Sequence, residues 1–232
     1  MAEEQQPKPS STMPSTQTKK LSATSENATV WLGWLAAVLY NSWPLGFYLN
    51  PSVLHHDVAS DLAKSGQPYN WVFMLGDVLT GLVLLLVAFL QWRRTRVRTA
   101  RAAILAYAVF GITTALAAVI PLRCDYSSGQ CVQHLLSPSV IFHAGLSLIS
   151  LAFLTLAILL AVILARGNKA PRQLLKASVI AAIAMPVLGI GGLVEIVGRT
   201  SNNSLPSYFI SACAVAIGLV VQIISHVSQT VR

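Results

Sequence analysis

Four carboxyl or imidazole side chains sit inside otherwise apolar stretches of the sequence: Asp77, His143, Glu195 and His226. Such groups are costly in hydrocarbon and are placed facing a bundle interior or a wet cavity. At about 1.5 Å of helix rise per residue, Asp77 lies ~10 Å, His143 ~6 Å and Glu195 ~6 Å from the same ends of their stretches. The three are therefore expected to converge, whereas His226 lies at the opposite end and cannot join them or share a haem with His143. Ser147 follows His143 by four residues and falls on the same helical face. Aspartate, histidine and glutamate are zinc-ligand types, and a bound zinc lowers its water's pKa toward ~7, enough to hydrolyse a lipid ester or amide. No HExxH or CxxC spacing fixes two ligands at once. Two other readings stay open: a pocket for a small molecule or lipid, and a polar lock that only holds helices together.

Two connecting segments add candidates. Pro51–Tyr69 contains His55, His56, Asp57 and Asp61, of which His55 and Asp57 are further metal-ligand candidates beside His143. Arg123–Pro138 contains Cys124, Cys131 and His134. If that segment faces an oxidising compartment, a Cys124–Cys131 disulfide is expected, with free thiols or metal ligation as alternatives. Cys213 reads as a small packing residue. The stretch Pro186 to Gly192, with three glycines just before Glu195, is expected either to loosen its helix toward a cavity or to allow close helix packing.

The elements that must position these residues follow from composition. The chain has 232 residues, is 54% hydrophobic and only 10% charged, and has a mean hydropathy of +0.63. Soluble domains carry roughly 25% charged residues, so a soluble enzyme is excluded. Six apolar runs are expected to span a membrane, at about 28–49, 70–92, 102–122, 139–165, 177–198 and 207–228. About 20 helical residues cross a 30 Å hydrocarbon core, and β-barrel strands would be half as long and alternating. Trp71 and Trp92 bracket the second run about 31 Å apart, the place of interfacial indoles. The fold class is all-α, a polytopic six-helix membrane protein.

A net charge of +8 would suggest nucleic acid in a soluble protein, but here the cations lie between apolar runs, and no nucleic-acid partner is expected. Lys8, Lys19, Lys20, Arg93, Arg94, Arg96, Arg98, Arg101, Arg166, Lys169, Arg172, Lys176 and Arg232 fall on one side. Only Lys64, Arg123 and Arg199 fall on the other. The positive-inside rule then places both termini in the cytoplasm and the Asp77 end outside. Residues 1–27 are polar, without an aromatic residue or an apolar leader, and are expected to form a disordered cytoplasmic tail; 28–232 form the transmembrane domain.

Ser60-Asp61-Leu62 through Gly66, Pro68 and Tyr69, followed by Phe73-x-x-Gly76 and Thr80-Gly81, resembles the bacterial membrane family catalogued as domain of unknown function 998. In that family a loop of this kind precedes the second helix, a proline-containing end closes the third, and a histidine opens the fourth. Ile120-Pro121-Leu122-Arg123-Cys124, Cys131 and His143-Ala144-Gly145-Leu146-Ser147 follow the same layout. The resemblance spans about 28–228 and implies six membrane helices without an established activity. The chain is more distantly similar to Frag-type six-helix proteins and to intramembrane zinc hydrolases of the ceramidase type. It departs from the hydrolases in lacking their pair of histidines in the last helix. The expectation is thus a multi-pass plasma-membrane protein of unassigned activity, with an outward polar pocket at Asp77, His143, Ser147 and Glu195 for a small amphiphile or lipid. No cofactor is required by this reading, zinc is the cofactor of the hydrolase alternative, and a structural subunit of a membrane complex is the third.

Overall fold

The computed structural model describes residues 15–51, 59–120, 137–198 and 204–230, with side chains described from residue 27 onward except at 59–60, 192–193, 195–198, 204 and 206. Among the described residues all regular structure is helical: α1 (Ser15–Tyr40), α2 (Gly46–Leu49), α3 (Asn70–Trp92), α4 (Arg98–Val119), α5 (Pro138–Gly167), α6 (Arg172–Gly198) and α7 (Ser204–Thr230), with 3-10 turns at Trp43–Leu45 and Ala59–Ala63. Five stretches, within α3 to α7, are long and apolar enough to cross a membrane.

The long helices form a closed ring, each packed on the next in chain order, with α7 returning to α1 and also reaching across to α5. Helix α7 is the most buried and α6 the least. The core is built from small and β-branched residues, among them Ala216, Ile217, Val220, Val221 and Ile224 of α7, with Ala103, Tyr107 and Phe110 of α4 and Leu154, Ala157 and Ile158 of α5. Packing among apolar helices in lipid depends on close approach rather than on water exclusion, so small residues mark the contacts. At the α3–α4 contact, a Cβ on Gly81 would collide with the Gly111 carbonyl, and one on Gly111 would lie 3.1 Å from Leu84. At the α1–α7 contact, a Cβ on Gly218 would lie 2.5 Å from the Trp34 ring.

The first apolar run departs from expectation at both ends. Its helix begins at Ser15, so residues 15–27 continue the backbone helix instead of forming part of an unstructured tail. Ser15–Asn27 contains neither proline nor glycine, and extending a helix already nucleated by a packed segment needs no new nucleus. At the other end the helix stops at Tyr40 rather than near residue 49. Pro44 cannot donate to the ladder and disfavours helical geometry at the residue before it. The chain re-forms as the Trp43–Leu45 turn and α2. The apolar helical part is Asn27–Tyr40, shorter than the five spans.

Helix α6 runs unbroken through Pro186 to Gly198. Gly189 and Gly191 accommodate α7 side chains: added Cβ atoms would lie 3.1 Å from Phe209 and 3.0 Å from Leu205. Of the two sequence readings of this stretch, the close packing of helices is the one realised, and no discontinuity opens at Pro186.

Candidate functional site

The bundle has a basic end, where α3 passes into α4 and α5 into α6, and a far end, where α1 breaks. Asp77 belongs to the far half. It sits one residue after Gly76, where α3 comes so close to α1 that a Cβ would lie 2.9 Å from the Leu39 carbonyl oxygen and 3.2 Å from Ser42 Oγ. Thr80, one turn further, holds the same seam through its hydroxyl, 2.8 Å from the Gly76 carbonyl and 3.3 Å from that of Ala36. The close approach brings Asp77 within electrostatic range of Tyr40, which also faces Cys213 of α7. Tyr40 is held by an edge-on contact with Phe110, ring centroids 5.4 Å apart. The Asp77 carboxyl, half-buried, makes no hydrogen bond or ion pair among the described residues.

The broken end of α1 is sewn onto α7 just above. Trp43 Nε1 donates to Ser211 Oγ at 3.1 Å, and Ser211 Oγ donates to Asn41 Oδ1 at 2.9 Å. Beyond it, Leu62 and Phe73 form a small apolar cluster with Trp43, Leu49 and Ala63, which roofs the start of α3. Asn50 Nδ2 donates to Gln67 Oε1 at 3.1 Å across the same roof. Asp77 is therefore a carboxyl set beneath a turn of unravelled, polar backbone.

His143 stands elsewhere in the far half. Its ring lies beside the carbonyls of Ala117 and Ile120, where α4 ends, and its Nδ1 is buried without a hydrogen-bond partner. Ser147 donates to the His143 carbonyl at 2.9 Å and is exposed, so its hydroxyl is turned to its own helix. Helices α3 and α5 each pack on α4, and no hydrogen bond or electrostatic interaction among the described residues joins Asp77 to His143. The Glu195 side chain, and His55, His56, Asp57, Cys124, Cys131 and His134, lie outside the described residues. So the expected disulfide and the loop ligands of the metal alternative do as well. Among the described residues no three His, Cys, Asp or Glu side chains are grouped closely enough to hold a metal. Cys213 is a buried free thiol.

Counting only ionisable groups overlooks the most completely paired polar cluster. Gln91, buried in α3, donates through Nε2 to the Val221 carbonyl and to Ser225 Oγ, both at 2.9 Å, and accepts from Tyr107 OH at 2.8 Å. Thr113 and Ser150 are paired at 2.6 Å between α4 and α5. A glutamine inside an apolar run, ten residues from the nearest glycine in its helix, was the available signal for the first. At the basic end, Arg94 donates to Thr29 Oγ1 at 3.1 Å, and the Arg101 guanidinium stacks 4.9 Å from the Trp92 ring.

Comparison with curated proteins and with solved structures finds no match to this chain. A family model does match, over residues 32–226, from within the apolar part of α1 to within the last long apolar helix. The chain belongs to the family described as Protein of unknown function (DUF998).

Proposed function

We propose that the protein is a six-span plasma-membrane protein with both termini in the cytoplasm, and that its outward end binds a small amphiphile or lipid at Asp77. The observation carrying this reading is the Asp77 carboxyl, inside the apolar thickness and without a hydrogen-bond partner among the described residues. A polar group in hydrocarbon needs a partner. A headgroup hydroxyl or amine inserted under the Asn41–Pro44 break would supply it, while its acyl chains ran along the exposed apolar faces of the helices. Counting the α1 segment with α2 as the first crossing gives the even number of spans that the distribution of Lys and Arg requires. His143, with an unpaired Nδ1, lies apart from this site at the end of α4, and a Cys124–Cys131 bridge would restrain the connection between α4 and α5.

The test is to extract the protein in mild detergent and identify co-purifying lipids by mass spectrometry, for wild type and Asp77→Asn. The reading requires an enriched species that is lost in the variant while the variant stays folded. Equal lipid content in both would overturn it. Elemental analysis of the same samples decides the metal-dependent alternative: about one zinc per chain, lost in His143→Ala, would favour hydrolysis over binding.

A further inference from the structure

At the basic end, α1 and α7 separate. They are in closest contact at Gly33 and Gly218, where an added Cβ would lie 2.7 Å from Val221 and 2.5 Å from Trp34 respectively. Beside these contacts the two helices leave an opening between them. The result is a groove of about 360 Å³ lined by Asn27, Val30, Trp31 and Trp34 of α1 and by Gln222, Ser225, His226 and Gln229 of α7. The α1 positions and the α7 positions each repeat at three- and four-residue steps, so two helical stripes face one another along its length.

The chemistry of the lining is specific. Among the described residues it holds two indoles, three carboxamides, an imidazole and a hydroxyl, and no lysine, arginine, aspartate or glutamate. The side chains of Gln222, His226 and Gln229 make no hydrogen bonds within the protein among the described residues. Ser225 accepts from Gln91 at 2.9 Å, which leaves its own hydroxyl hydrogen for another acceptor. The pool of unused donors and acceptors thus lies on one wall and the aromatic surface on the other. Trp31 is 74% exposed, so the groove opens sideways, toward lipid, at the depth where indoles favour the membrane interface.

We propose that this groove is a second binding site, distinct from the Asp77 site, which takes the uncharged, hydroxyl-rich headgroup of an amphiphile such as a glycosyl diacylglycerol. Carboxamides and imidazole pair with hydroxyl groups in both senses, and an indole offers a flat apolar face to the C–H side of a sugar ring. An anionic headgroup would be drawn instead to the neighbouring arginines and would find no cationic lysine or arginine in the groove. Lateral opening makes a lipid-borne ligand the occupant rather than a free sugar.

The experiment places the full-length protein in phosphatidylcholine nanodiscs carrying minor, equal fractions of monoglucosyl diacylglycerol and phosphatidylglycerol. Lipids retained after extraction are counted by native mass spectrometry. Wild type is expected to retain the glucosyl lipid in excess of its share. Gln222→Leu and Gln229→Leu are each expected to lower that excess about three- to fivefold, as for the loss of one hydrogen bond. Leu148→Ala, on an exposed face of α5 outside both sites, is expected to leave it unchanged. Gln229 is exposed near the helix end, so its variant keeps the fold and the test interpretable. No excess in wild type, an excess of phosphatidylglycerol instead, or undiminished retention in both leucine variants would overturn the proposal.

Discussion

Replacing Gln91 by leucine tests whether the buried polar network holds the basic half of the bundle together. Gln91 is 3% exposed and Tyr107 1% exposed, so neither finds water when the other is removed. The side chain makes three hydrogen bonds, to Val221, Ser225 and Tyr107, linking α3, α4 and α7. Polar contacts between membrane helices average about 0.6 kcal/mol each, which gives about 2 kcal/mol for the set. The Tyr107 hydroxyl is then left buried without a partner, adding a penalty of about 1 kcal/mol at the low end of the usual range. Gln91→Leu should therefore destabilise the protein by about 3 kcal/mol in unfolding titrations from detergent micelles. Tyr107→Phe alone should cost less, because it removes one bond and leaves Gln91 two others. The double variant should be more stable than the two single losses combined would give, by about 1.6 kcal/mol, since the shared bond is lost only once and the orphaned hydroxyl is gone. A single-variant loss within about 0.5 kcal/mol of zero, or strict additivity, would refute the argument.

Gly81→Val should destabilise by about 1–3 kcal/mol through overpacking, because its Cβ meets the Gly111 carbonyl and Ala115; a helical protein with wild-type thermal stability would contradict the packing. Alkylation before and after reduction, read by intact mass, should find Cys124 and Cys131 blocked until reduced, and Cys213, buried in α7, slow to react until unfolding. Single cysteines at Arg96 and Lys64, in a background without the native thiols, should label from opposite faces in intact cells, Lys64 from outside. Labelling of both from one face would reject the six-span topology.

The five long helices were legible because each apolar run exceeds the membrane thickness, and α3 spans Asn70–Trp92 with the expected tryptophans exposed at its ends. The first run was misread because length and apolarity do not register the local effect of Pro44, nor the way a packed helix extends into a polar segment such as Ser15–Asn27. Depth along a helix placed Asp77 and His143 correctly in the far half. Depth carries no information on azimuth, and azimuth sends Asp77 toward Tyr40 and His143 toward the end of α4. Gln91 was overlooked because a neutral amide does not stand out by charge, although in a membrane its hydrogen bonds constrain the fold as firmly as an ion pair would.

On the proposed reading, Asp77 is held open for a ligand rather than for the protein. A cryo-EM map of the full chain in lipid nanodiscs would test it most directly, by showing what contacts the carboxyl. Elongated non-protein density entering between α1 and α3 beneath Asn41–Pro44 and ending at Asp77 is the expected result. A carboxyl paired instead with a side chain from the 121–136 or 199–203 connections, with no such density, would make Asp77 a structural lock and contradict the claim.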